Sequence, residues 1–221
     1  MPVAQTYASL LEDTRRYLER GFTAASDPDV FVQLPKLVNL AERRAARELK
    51  IQGFQTVVAS TMQAGLAVYP KPVRWRQTIS VNWGSGTLNN TRNMLYPRSY
   101  EYIRMYWPDQ TTQMTATDEM TYYADYDYQN WIFAATPNAA YPFEVLYYQN
   151  PEFLDDATQT NWLTEHAPEL LVYGTLLEAT PFLKDDQRIQ VWQGMYDRAA
   201  SSVNGEDLQK ILDRSSTRAK P

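Results

Sequence analysis

The chain has 221 residues, 44% of them hydrophobic, enough for one substantial core or for two small units sharing one. Its 21 basic and 26 acidic residues leave a net charge of −5, which argues against a general nucleic-acid binder or a binder of anionic membranes. Cysteine is absent, which excludes disulfides, thiolate catalysis and zinc-finger-type sites.

The first residues, "MPVAQTYASLLEDTRR", place Glu12 and Asp13 where a signal peptide needs an apolar run. No stretch reaches the roughly 18 uncharged apolar residues of a spanning helix. The expectation is a chain that lives or assembles in a cytosol, with no membrane partner. Leu10, Leu11, Thr14, Tyr17 and Leu18 recur at helical spacing, and Gly21 can end that helix. Asp27 and Pro28 read as the N-cap and first position of the next. Pro35 should start a new turn or bend it. Beyond it, Leu37, Leu40, Ala41, Arg44, Ala45 and Leu49 lie near one side. The same run carries Arg43, Arg44, Arg47 and Lys50, partly balanced by Glu42 and Glu48. It is either a solvated helix face or a surface complementary to an acidic neighbour.

Near Gln55 the period changes. "RWRQTISVNWG" alternates Trp75, Gln77, Ile79 and Val81 with Arg74, Arg76, Thr78 and Ser80, a strand with two unlike faces. "SYEYIRMYWP", residues 99–108, alternates in the same way and reads as a further strand, with residues 82–93 between them as an exposed loop. Later strands are expected at Tyr122–Tyr126, Trp131–Ala135 and Phe143–Tyr148, with a turn over Asp127–Asn130. Pro137 and Pro142 make "TPNAAYP" a rigid link. Together these predict a meander of short antiparallel strands. Helices then return: a short one or a tight turn at 158–168, one from Pro168 to Pro181, and one opened by Asp185 and Asp186. The last has an apolar stripe of Ile189, Trp192, Tyr196, Ala199 and Val203. The expected fold class is α+β: N- and C-terminal helices in one bundle (1–54 and 156–212), an inserted antiparallel β domain (55–155), and a mobile polar tail (213–221).

Charge is segregated along the chain. Residues 1–104 carry 14 basic and 8 acidic groups, residues 105–183 carry 12 acidic groups and no Lys or Arg, and residues 184–221 carry 7 basic and 6 acidic. The positive third could cover the negative segment within one molecule, charges could match between copies, or the acidic surface could line something. Of the 16 tyrosines, 11 lie between Tyr96 and Tyr148, more rings than a small sheet obviously needs.

Little of this points to catalysis. His166 is the only histidine and falls at a helix end or turn; no GxSxG elbow, GxGxxG or Walker pattern is present. Asp125 and Asp127 could share a strand side and bind a cation or act on glycosides, but such pairs are common in turns. Trp83, Trp107 and Tyr102 could stack on sugars or bases, or serve in a core or interface.

Six fragments resemble, in order and spacing, the adaptor or head–tail connector proteins of tailed bacteriophages: "QLPKLVNLAERRAARELKIQGF" (33–54), "YPKPVRWRQTIS" (69–80), "LYPRSYEYIRMYWPD" (95–109), "YYADYDYQNWIFAATPNAAYPFEVLYY" (122–148), "TNWLTEHAPELLVYGTLLEATPFLKDD" (160–186) and "DRSS" (213–216). The resemblance implies a structural virion protein at the neck, assembled in the host cytoplasm. It further implies a ring, commonly dodecameric, that binds the portal on one side and tail or nozzle proteins on the other. Double-stranded DNA would pass through without specific binding, and neither enzymatic activity nor a cofactor is implied. In such a ring, Arg43, Arg44, Arg47, Arg74, Arg76, Tyr126, Tyr128 and Trp131 are the expected contacts with neighbouring chains, and Asp118 and Glu119 the channel-lining candidates. The rivals are a tail-associated polysaccharide-degrading enzyme using Asp125 or Asp127 with Glu144, and a carbohydrate-binding module using the tryptophans.

Overall fold

A computed structural model describes residues 5–19, 23–84, 93–115, 119–183 and 188–216, with side chains to Asp207. The chain divides into two compact units, one of residues 1–54 with 150–221 and one of residues 55–149. The fold is α+β: N- and C-terminal helices flank an inserted mixed sheet.

The helical unit begins with α1 (Tyr7–Tyr17), opened by a reciprocal cap in which the Ser9 amide donates to Thr6 Oγ1 and the Thr6 amide to Ser9 Oγ. Leu10 and Thr14 are fully buried. Helix α2 (Pro28–Glu48) starts at Asp27 and Pro28, as the sequence predicts. It is assigned as one helix straight through Pro35, which is exposed, so the amide it lacks lies on the wet side of the helix. Leu34, Leu37, Val38, Ala41 and Ala45 form the buried face, whereas Leu40 is exposed. A short 3-10 turn (Gln52–Phe54) closes this part.

After the insert come α4 (Trp162–His166), α5 (Pro168–Leu183) and α6 (Ile189–Ser216). Helix α5 is apolar nearly all round and has nine buried positions, as expected of a helix enclosed by its neighbours. It continues past Pro181, where the sequence suggested an end. Gly174 lets α5 approach closely: an added Cβ would lie 3.3 Å from Ala41 Cβ and 3.4 Å from the Tyr196 ring. On α6 the five stripe residues Ile189, Trp192, Tyr196, Ala199 and Val203 are all buried or half-buried. The helix runs through Ser216, beyond the point where a mobile tail was expected. Gly21, Asp185 and Asp186, offered above as helix signals, lie outside the described residues.

The second unit contains β1 (Gln55–Thr61), β2 (Val68–Pro70), β3 (Trp75–Trp83), β4 (Asn93–Pro97), α3 (Tyr100–Tyr106), β5 (Tyr122–Asp125), β6 (Asn130–Ala134) and β7 (Pro142–Gln149). The strand order is β1-β7-β3-β4-β5-β6-β2, and β4 pairs with β5 in parallel, so the predicted meander is wrong. The last strand runs between β1 and β3, which no local pattern announces. The predicted strand at 99–108 is also wrong: those residues form α3. Ser99 Oγ accepts from the Tyr102 amide at 3.2 Å, and the side chains at 100, 103 and 107 pack on Ala67, Ala124, Ile132 and Ala134. That spacing is helical, and the alternation of aromatic side chains masked it.

Two register shifts interrupt β3, between Trp75 and Gln77 and between Thr78 and Ser80. They break the simple alternation and leave Ile79 exposed. The half-buried Thr78 instead accepts from two indoles, Trp75 Nε1 at 3.1 Å and Trp131 Nε1 at 2.9 Å. The core of this unit gathers Trp83, Val81, Leu95, Tyr123, Trp131, Phe133, Phe143 and Val145.

Candidate interaction surface

The carboxylates that suggested catalysis serve as local struts. Lys71 Nζ, whose side chain is almost fully buried, lies 2.7 Å from Asp125 Oδ1 and 3.7 Å from the Trp75 ring centre, and donates to the Asp127 carbonyl at 2.8 Å. The Asp127 carboxylate accepts from the Gln129 amide at 2.6 Å and from Asn130 Nδ2 at 2.8 Å, closing the β5–β6 turn. The Asn130 bond, first among several, holds the Asp127 carboxyl below its usual range. Glu144 pairs in the ladder with Ala59 and Asn82, three strands away from β5 in the sheet order. His166 stacks on Trp162 at 4.9 Å and bonds that residue's carbonyl through Nδ1. Among the described residues no group of three or more His, Asp or Glu side chains could hold a metal.

The tyrosine-rich segment instead builds a surface of linked rings. The Arg98 guanidinium sits over Tyr102 at 5.4 Å and Tyr122 at 5.2 Å. Tyr102 continues to Tyr106 at 4.6 Å, Trp107 meets Tyr122 at 5.8 Å, and Tyr100 meets Tyr126 edge-on at 5.4 Å. Burial, then Tyr122, raises the Tyr102 phenol above its usual range. Around these rings Tyr96, Met105, Tyr106 and Tyr126 are exposed, Met105 by 76%. Trp107, offered as a sugar platform, is half-buried against the core, and Trp83 is fully buried with its indole donating to the Met120 carbonyl.

The predicted contact residues separate into three groups. Arg43, Arg47, Arg74, Tyr126 and Tyr128 are exposed. Arg43 lies over the Phe153 ring at 4.4 Å, and Tyr128 leans edge-on against Trp75 at 5.8 Å. Arg44 and Arg76 are half-buried. Arg44 is engaged inside the helical unit, 3.5 Å from Glu48, 3.1 Å from Glu178 and over the Tyr196 ring. Trp131 is a correction: it is 1% exposed, a core residue with no face to offer another chain. Its strand alternates less than it seemed to, since four of the five residues of β6 are buried. Glu119 is exposed, and Asp118 lies outside the described residues.

Sequence reasoning missed Glu42. It looked like a counter-charge on a basic helix face, but it is 0% exposed. Its carboxylate accepts from the Leu154 amide at 3.1 Å and from Asn161 Nδ2 at 2.6 Å, which ties residues 150–161 to α2. Those residues belong to the helical unit, whereas the sequence had carried the β domain to residue 155. Burial pushes the Glu42 carboxyl up to about 7 against these two bonds.

The described residues form an α+β scaffold that presents a surface of linked, partly exposed aromatic rings. The chain matches the family model described as SU10 adaptor protein over residues 5–220 and belongs to that family. It is therefore a structural head–tail connector of a tailed phage, a virion protein and not an enzyme, and membership implies ring formation with portal and tail contacts. No curated protein matches the chain. No helix among the described residues is long and apolar enough to cross a membrane.

Proposed function

We propose that the protein forms a dodecameric ring at the neck of the virion, assembled in the host cytoplasm. Its bore would continue the portal channel and its far face would dock tail or nozzle proteins. The family match over residues 5–220 carries this reading. The charge pattern supports the bore: between Met105 and Leu183 there are 12 carboxylates and no Lys or Arg. DNA presents a phosphate about every 1.7 Å, and a wall without cations gives it nothing to grip. Glu119 and Asp118 are the proposed lining residues. The helices on either side of the insert act as one module and the insert as a second. Arg43, Arg47, Arg74, Arg76, Tyr126 and Tyr128 meet neighbouring chains.

Electron microscopy of the purified protein mixed with its portal tests the proposal. The expected image is a ring stacked on the portal with an open bore and residues 109–121 facing it. A protein that stays monomeric beside the portal refutes the ring. A ring with that segment on its outer rim refutes the lining alone.

A further inference from the structure

Strand β4 bridges two halves of the sheet and is short on both sides. It pairs with β3 only over Val81–Trp83 and with β5 only at Tyr96 and Pro97. Along Trp75–Ser80, β3 therefore has β7 on one side and, among the described residues, no strand on the other. A cleft of about 440 Å³ opens there, lined by residues 75–79, Pro97, Arg98 and Tyr123–Asp125.

Three charged residues line this cleft. Asp125 is already paired with Lys71. Arg98 is held at the wall by the Tyr102 and Tyr122 rings. Arg76 has the Tyr148 ring beside it at 5.9 Å, but its Nη1 is buried with no hydrogen-bond acceptor. A guanidinium stays protonated in proteins and presents five donors in a planar fork. Burial pulls Arg76 below its usual range, the mark of a charge that has lost water without gaining an anion. Among the described residues this donor meets no acceptor, and a buried donor of this kind calls for one.

The geometry points to a carboxylate-binding slot, in which Arg76 and Arg98 receive an acidic side chain from residues 105–183 of a second copy of this chain. The inference rests on the ring reading above and gives it a specific contact. A planar carboxylate fits the guanidinium fork. The chain itself provides the matching surface, since that segment holds 12 carboxylates and no Lys or Arg, although Asp125 and Glu178 are already paired with Lys71 and Arg44. Some of those carboxylates, such as Asp109, Asp127 and Asp155, already accept local hydrogen bonds, while Glu119 is exposed. The open edge of β3 beside the slot leaves room for the incoming backbone.

The test uses full-length Arg76→Lys, prepared in unlabelled and nitrogen-15 forms, mixed and assembled on the portal. A carbodiimide joins the introduced ammonium to an abutting carboxylate as an amide, and mass spectrometry of peptides reads both partners. Mixed-isotope cross-links from position 76 to a carboxylate within 105–183 are the expected result. In parallel, Arg76→Met should keep its circular dichroism spectrum and need at least tenfold more protein to form rings. Rings that form normally from Arg76→Met, or that cross-link position 76 only within one chain or to the portal, overturn the slot and leave the ring standing. Protection of position 76 by added DNA in place of a protein cross-link assigns the slot to phosphate and also overturns the proposal. If wild-type chains make no ring under electron microscopy, the ring reading fails first and takes the slot with it.

Discussion

Two half-buried arginines, one in each unit, have opposite surroundings. In the helical unit Arg44 lies within 3.5 Å of both Glu48 and Glu178 and covers the Tyr196 ring. Tyr196 in turn donates to Glu48 at 2.6 Å, and its phenol is raised by burial and then by that bond. In the sheet unit Arg76 lies beside the Tyr148 ring, and among the described residues its Nη1 has no acceptor. The first arrangement is satisfied within one chain, since the guanidinium meets two carboxylates. The second holds a buried cation in a form that gains from an outside anion. The helical unit thus has the character of a scaffold at this point, and the sheet unit that of a receptor.

The contrast can be broken first in the core of the sheet unit. Trp131→Ala removes a fully buried indole and one of the two donors to Thr78. It should cost about 3–5 kcal/mol, read as a lowered urea midpoint. A loss below about 1 kcal/mol would show that Trp131 is a surface residue after all.

The next effect belongs to the helical unit and depends on pH. The Glu42 carboxyl titrates at about 7 when folded, against 4.5 for an ordinary glutamate. The folded state therefore binds more protons between those values, and stability falls as pH rises through them. The contribution is fully present below 4.5 and lost by about 7, on the order of 3 kcal/mol in total. Glu42→Gln keeps one acceptor oxygen and cannot ionise, so its urea midpoint should be nearly flat over the same range. An equal slope in both proteins would place the titrating group elsewhere.

The smallest effect on folding, and the sharpest on assembly, is expected at the sheet surface. Tyr128 is 74% exposed and Tyr126 41%. Replacing each with Ser should change stability by no more than about 0.5 kcal/mol. Light scattering should nevertheless show weaker assembly, most in the double variant. Normal assembly and tail attachment by both would remove these rings from the interface.

The helices were largely legible: several place their apolar residues on one stripe, and α5 is a long apolar run between prolines. Asp27 with Pro28, and the five-residue stripe of α6, are local signals that tertiary packing preserved. Helix α3 was not legible by the same rule. It is only 7 residues long, and alternating aromatic side chains imitate a strand, so Ser99 as its cap was the better clue. The sheet order depends on β7 pairing with β1 and β3, contacts that span most of the insert and leave no mark at short range. Partners of charged side chains were hidden for the same reason. Arg44 finds Glu178, and Glu42 finds Leu154 and Asn161, all more than a hundred positions away. The tyrosine-rich surface was visible as composition, but which rings are exposed was not.

The first and last strands of the insert are neighbours, with Gln55 opposite Tyr148. Opposed residues in an antiparallel pair have their Cα atoms about 5 Å apart. The polypeptide therefore enters and leaves this unit at almost the same place, as a loop does at its stem. A segment with such a narrow stem is a natural unit of genetic exchange. Recombination that replaced residues 55–149 as one cassette would preserve the spacing of the chain on either side. A connector organised this way can exchange its sheet unit and keep its helical unit unchanged.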